Sequence, residues 1–154
     1  MAGRVVYLVR HGHCQKAGTL LGQADVGLTP DGVAQAEALA AELAGADRVV
    51  SSDLRRAVET AQRIAFRCGV PVELDARLRE ISYGEWDGRP WEPGVEPAES
   101  LEAFRARVES AWKEVCTGAA RVTVLVAHAG VNAVILGDLG LRQEYGAVER
   151  VDIS

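Results

Sequence analysis

The sequence is poor in lysine, in cysteine and in long apolar runs, and each shortage excludes something. Lys16 and Lys113 are the only lysines, so nearly every positive charge is an arginine. No G-x-x-x-x-G-K-[ST] segment exists, because neither lysine follows a glycine, and a P-loop NTPase is excluded. The formal net charge of −5 excludes a general nucleic-acid binder but leaves room for a local basic pocket. Cys14, Cys68 and Cys116 cannot all pair within one chain, and no two share a C-x-x-C spacing. That usage fits a reduced, cytoplasmic compartment better than a disulfide scaffold. The apolar stretch Val5 to Val9 is closed by Arg10 and His11. A secretory apolar region is longer and a bilayer span needs about 20 residues, so neither a signal segment nor a membrane partner is expected.

What is present is the composition of a folded domain. Apolar residues make up 48% and charged residues 25% of 154 residues, enough to bury a core without a metal or a disulfide. A single domain over 1–154 is expected. Val5–Val9 and Val122–Ala127 are unbroken runs rich in β-branched residues, the mark of strands buried on both faces. Arg48–Ser51 and Pro71–Leu74 read as short strands, and Val148–Ile153 as a C-terminal edge strand. Thr29-Pro30-Asp31 is a helix start: a cap, a proline at the first helical position and an acid in the first turn. Val33, Ala36, Ala40 and Leu43 continue it at helical spacing as far as Gly45. A second stripe runs through Leu54, Val58, Ala61 and Ala65, and a third follows the Ser100 cap through Leu101, Phe104, Val108 and Val115. A last helix is expected over Val131–Leu139. Between them, residues 82–99 hold Pro90, Pro93 and Pro97 with Trp86 and Trp91, and read as an ordered loop or short lid. Strands alternating with helices predict an α/β three-layer sandwich, with a mostly parallel central sheet and helices on both faces.

In such sheets ligands bind beyond the carboxyl ends of the strands. Three of these ends carry chemistry. The first strand ends in Arg10-His11-Gly12, the second leads into Ser51-Ser52-Asp53-Leu54-Arg55-Arg56-Ala57, and Val122–Ala127 ends in His128-Ala129-Gly130. The set suits a phosphoryl group. Arginine presents a planar fork that matches phosphate oxygens. Neutral imidazole is a competent nucleophile near neutral pH. Glycine after a histidine lets the backbone approach closely. Taken singly, a histidine at a strand end is a structural residue and an Arg-Arg pair a solvated face; their coincidence at three strand ends argues otherwise.

Arg10-His11-Gly12 after an N-terminal strand resembles the signature of the histidine phosphatase superfamily, which includes cofactor-dependent phosphoglycerate mutases. Four further blocks resemble that family in the same order. They are Gly22-x-x-Asp25-x-x-Leu28-Thr29-x-x-Gly32-x-x-Gln35-Ala36, Ser51-Ser52-Asp53-Leu54-x-Arg56-Ala57-x-x-Thr60-Ala61, Leu78-x-Glu80-x-x-x-Gly84-x-Trp86-x-Gly88 and Val126-x-His128-x-Gly130. The resemblance implies that His11 attacks phosphorus and becomes phosphohistidine. It implies that Arg10, Arg56 and His128 surround the phosphoryl oxygens, and that Glu80 protonates the departing alkoxide. It implies no metal and no other cofactor, and a small phosphorylated metabolite as partner. Arg56 is chosen over Arg55 because it directly precedes Ala57; Arg55 lies about 100° around the helix. Glu80 leans the chain toward small phosphomonoesters, since phosphohistidine-protein phosphatases of the superfamily lack a matching acid block.

The chain departs from the family pattern at Cys14, where a small hydroxyl residue is common, and at Ala17, where asparagine is common. The short segment between Gly88 and Ser100 favours hydrolysis over mutase transfer, which uses longer insertions to exclude water. Three rivals stand beside a phosphatase: mutase-type phosphoryl transfer, a non-catalytic module binding phosphorylated ligands, and a zinc site on His11-Gly12-His13-Cys14. The last lacks a second well-spaced ligand cluster. Cys116 and Arg121 have the wrong spacing for a cysteine-dependent phosphatase, and Asp25-Val26-Gly27 lacks the second aspartate of a haloacid-type enzyme. His13, Arg89 and Trp91 are expected on the specificity side of the pocket. Sugar phosphates, 3-phosphoglycerate-like acids and α-ribazole phosphate are the candidate substrates.

Overall fold

The computed structural model describes residues 3–153. Five strands form one sheet: β1 (Arg4–Arg10), β2 (Arg48–Ser51), β3 (Val72–Leu74), β4 (Val122–Ala127) and β5 (Val148–Ile153). Their order is β3-β2-β4-β1-β5. All neighbours are parallel except β1 and β5, which run antiparallel with Tyr7 opposite Arg150. The helices are α1 (Pro30–Glu42), α2 (Arg55–Cys68), α3 (Leu101–Thr117) and α4 (Ala129–Leu136). None is long and apolar enough to cross a membrane.

The central strands are apolar throughout because both their faces are covered. Val9, Val49, Val124 and Val126 face a core completed by Leu39 and Leu43 around α1 and by Ala57, Ala61 and Ile64 of α2. Val6, Leu8, Val50 and Leu125, the residues of opposite parity, face Phe104, Val108 and Val115 of α3 and Val131 and Val134 of α4. The three expected layers are therefore present. α1 starts as its sequence dictates: Thr29 Oγ1 accepts from the Gly32 N–H at 3.2 Å, with Pro30 at the first turn. It stops at Glu42, short of Gly45.

Both boundaries of the last helix also differ from expectation. α4 begins at Ala129, because extended His128 acts as its N-cap, and it ends at Leu136, because Gly137 takes a left-handed conformation with φ 69°. Leu139 is released from the helix as a result. The segment 82–99 contains a single 3-10 turn at Gly84–Trp86 and is bridged to the loop after β1 through Leu20 and Arg89.

Candidate active site

β1, β4 and β2 end side by side, so Arg10, His128 and the Ser52 loop reach the same edge of the sheet. Arg10, His11, Arg56, Glu80 and His128, the five residues singled out from the sequence, all line one cavity of about 460 Å³. The rings of His11 and His128 stand 5.2 Å apart between centroids.

His11 is buried and its tautomer is set by its neighbour. Nδ1 donates to the Gly12 carbonyl at 2.7 Å, since a carbonyl can only accept. Burial, with the Arg56 charge adding to it, pushes the imidazole well below the ordinary histidine pKa. The ring is therefore neutral, and Nε2 carries a lone pair that accepts from Arg56 Nε at 3.3 Å. Gly12 must be glycine: a Cβ there would lie 2.6 Å from the Gly32 carbonyl oxygen. Its N–H donates to Thr60 Oγ1 at 3.1 Å.

Arg56 is only 1% exposed yet has no carboxylate partner. Its terminal nitrogens donate to the carbonyls of Ala24 at 2.7 Å and Gly22 at 2.8 Å. Arg10 donates to the Gln143 carbonyl at 2.6 Å, and its guanidinium lies 3.9 Å over the Tyr145 ring. Among the described residues neither arginine forms an ion pair. Arg55 is exposed and pairs with Glu59, on a different face of α2 as expected.

His128 is also buried and held neutral, chiefly by burial and then by the Arg56 charge. Its Nε2 lies 2.9 Å from Ser52 Oγ, which already accepts from the Leu54 N–H. The Ser52 hydroxyl hydrogen has no other acceptor among the described hydrogen bonds, so it donates to Nε2 and leaves the ring proton on Nδ1. That Nδ1 is buried without a partner.

Glu80 pairs with neither Arg77 nor Arg79. Those arginines engage Asp75 with Glu114, and Asp53, respectively. Its Oε1 accepts from the Ile81 N–H and Oε2 from the Gly130 N–H, each at 3.0 Å. Burial outweighs these bonds and raises the carboxyl above the ordinary range, favouring the protonated form. A Cβ on Gly130 would overlap Glu80 Oε1, which explains the glycine two residues after His128.

Arg107 was not visible as a functional residue from sequence, where it is one arginine in an amphipathic helix. From α3 it donates to the carbonyls of Arg77 at 2.8 Å, Arg79 at 2.6 Å and Glu80 at 2.9 Å, while pairing with Glu99. It anchors the segment that carries Glu80. Gln143 and Tyr145, which hold Arg10, were missed too.

The expected specificity residues lie elsewhere. His13, Arg89 and Trp91 do not line the cavity. His13 is engaged by Thr29 Oγ1 at 2.7 Å, Arg89 sits by the Trp86 ring, and Trp91 is 63% exposed. Of residues 82–99 only Tyr83 reaches the cavity. The wall beyond the charged residues is mainly apolar, with Leu20, Ile81, Leu101, Phe104 and Leu139 along it. Cys14 is buried and, like Ala17, does not line the cavity. Among the described residues no group of three or more His, Cys, Asp or Glu side chains is placed to hold a metal ion.

The chain is similar to several known proteins. "Putative phosphoserine phosphatase 2" of Hydrogenobacter thermophilus is 33% identical over 148 residues, 81% of this chain and 73% of that protein. "Probable phosphoglycerate mutase GpmB" of Yersinia pestis is 42% identical over 89 residues, which span 55% of this chain and 41% of the mutase. Among solved structures, the α-ribazole phosphatase of Shigella flexneri superposes with a TM-score of 0.85 at 26% identity, covering 97% of this chain and 91% of that one. The pattern of the histidine phosphatase superfamily (branch 1) matches residues 6–153. With that match across nearly the whole sequence, the chain belongs to the histidine phosphatase superfamily.

Proposed function

We propose that the protein is a metal-independent phosphomonoesterase that works through a phosphohistidine on His11. One observation carries the reading. Two guanidiniums, Arg10 and Arg56, line the cavity with no counter-anion, and the nearby carboxyl of Glu80 is held toward its neutral form. Buried charge without a partner is costly. A phosphoryl dianion supplies that partner, and the two arginines supply the charge that a metal would otherwise bring.

The steps follow from the placement of protons. The Nε2 lone pair of His11 forms the N–P bond as the P–O ester bond breaks. The leaving oxygen takes the Glu80 proton, so an alcohol departs rather than an alkoxide. Arg10, Arg56 and the His128 Nδ1–H hold the phosphoryl oxygens. Water then gives a proton to the Glu80 carboxylate and forms the new O–P bond while the N–P bond breaks. Inorganic phosphate leaves, with His11 neutral and Glu80 protonated again. Mutase-type transfer would need a second acid group held in the cavity, where no further cation lines the wall. The three free thiols suit a reducing, cytoplasmic setting.

Rapid quenching of the protein with a ³²P-labelled phosphomonoester tests this. The expected result is an acid-labile, base-stable phosphoprotein, absent from His11→Ala. Turnover in His11→Ala equal to wild type, or a phosphoenzyme on another residue, would overturn it.

A further inference from the structure

We infer that the alcohol half of the substrate is apolar and uncharged: an alkyl or aryl phosphate monoester, not a phosphorylated amino acid or hydroxy acid. The inference rests on the phosphatase reading of the same cavity and extends it to the leaving group.

The cavity has two unlike halves. Its inner wall carries both arginines, both histidines and Glu80. The rest of its wall is mainly apolar, with Leu20, Ile81, Leu101, Phe104 and Leu139 prominent on it and Thr19 and Tyr83 as its hydroxyl side chains. Among the described residues Arg10 and Arg56 are the only cations that line it, and both belong to the proposed phosphoryl end. Arg107, the cation behind the Glu80 segment, is already committed to Glu99 and three backbone carbonyls. A carboxylate on the leaving group would therefore lose water and gain no cationic partner. Leu101 and Leu139 are 49% and 47% exposed, an unusual placement for two leucines beside a polar centre. An apolar alcohol seated between them would take both out of water. Leu139 is available because α4 stops at Gly137 instead of carrying it along the helix.

The test is a kcat/KM series on methyl, butyl and hexyl phosphate, with phosphoserine and 3-phosphoglycerate alongside. Each methylene that enters the apolar half should raise kcat/KM by about fourfold, until the cavity is filled. The two acids should fall at least roughly tenfold below butyl phosphate. Leu139→Arg should lower the hexyl rate and raise both acids. A second variant, Leu101→Lys, should do the same. A flat alkyl series, or acids hydrolysed as fast as butyl phosphate, would overturn the inference. If no ester is hydrolysed the phosphatase reading fails, and calorimetry still decides the preference. Tighter binding of hexyl phosphate than of phosphoserine supports it, and equal or weaker binding refutes it.

Discussion

Glu80→Gln separates proton donation from every other task in the site. Glutamine has nearly the shape of glutamate, and the carboxyl it replaces is held toward its neutral form by burial, so the field around Arg10 and Arg56 changes little. One of the two backbone N–H groups, of Ile81 or Gly130, would face an amide NH₂ instead of an oxygen. That loss costs about 1–3 kcal/mol of stability. The chemical loss is larger: a positioned acid contributes about 100- to 10,000-fold. It should also be selective. Butyl phosphate needs a proton on its leaving oxygen and should lose that whole factor. p-Nitrophenyl phosphate releases a stable phenolate, so its first step should hardly slow. The second step still needs Glu80 to accept a proton from water. Stopped-flow absorbance on the variant should therefore show one equivalent of nitrophenolate released quickly, then slow turnover with phosphoenzyme accumulating. Equal slowing of the first turnover for both esters, or full retention of butyl phosphate hydrolysis, would refute the assignment of Glu80 as the acid.

Gly130→Ala should act on the same proton from the other side. The new Cβ overlaps Glu80 Oε1, so the carboxyl must leave its place; we expect a drop of about 1–3 kcal/mol in stability by denaturant titration and a loss of alkyl phosphate hydrolysis exceeding that on nitrophenyl phosphate. The buried histidines make stability depend on pH. His11 and His128 resist protonation when folded but titrate near 6.5 when unfolded, so the unfolded state binds more protons and stability falls as pH drops below that value. The slope is up to about 1.4 kcal/mol per pH unit for each imidazole. Glu80 has the opposite sign: its raised pKa stabilises the fold fully below the ordinary carboxylate range, and the gain is lost as pH rises through the folded value. Melting curves across mildly acidic pH should show a smaller decline for His11→Gln than for wild type; an unchanged decline would contradict the burial argument.

Much of the fold is legible in the sequence. Strands such as Val122–Ala127 are apolar on both parities because two helical layers cover them, and that pattern is local. Thr29-Pro30-Asp31 likewise acts within a few residues of itself. α4 begins two residues and ends three residues before the expected helix, because extended His128 and left-handed Gly137 are backbone states that hydrophobic spacing does not encode. His13, expected on the specificity side of the pocket, is instead engaged by the Thr29 hydroxyl across 16 residues.

The residue types that can meet a phosphoryl group were determined by the sequence alone, because Arg10-His11, Arg56 and His128 sit at the ends of strands or the starts of helices, and those ends are set by short-range patterns. Tertiary structure decided how these groups are tuned. Gln143 reaches Arg10 across 133 residues, and Gly130 reaches Glu80 across 50. Arg107 grips the Glu80 segment from α3, and four separate stretches of chain assemble the apolar wall. Such contacts are fixed by packing between layers. Packing depends on the sum of many distant side chains, so no single stretch of sequence announces it.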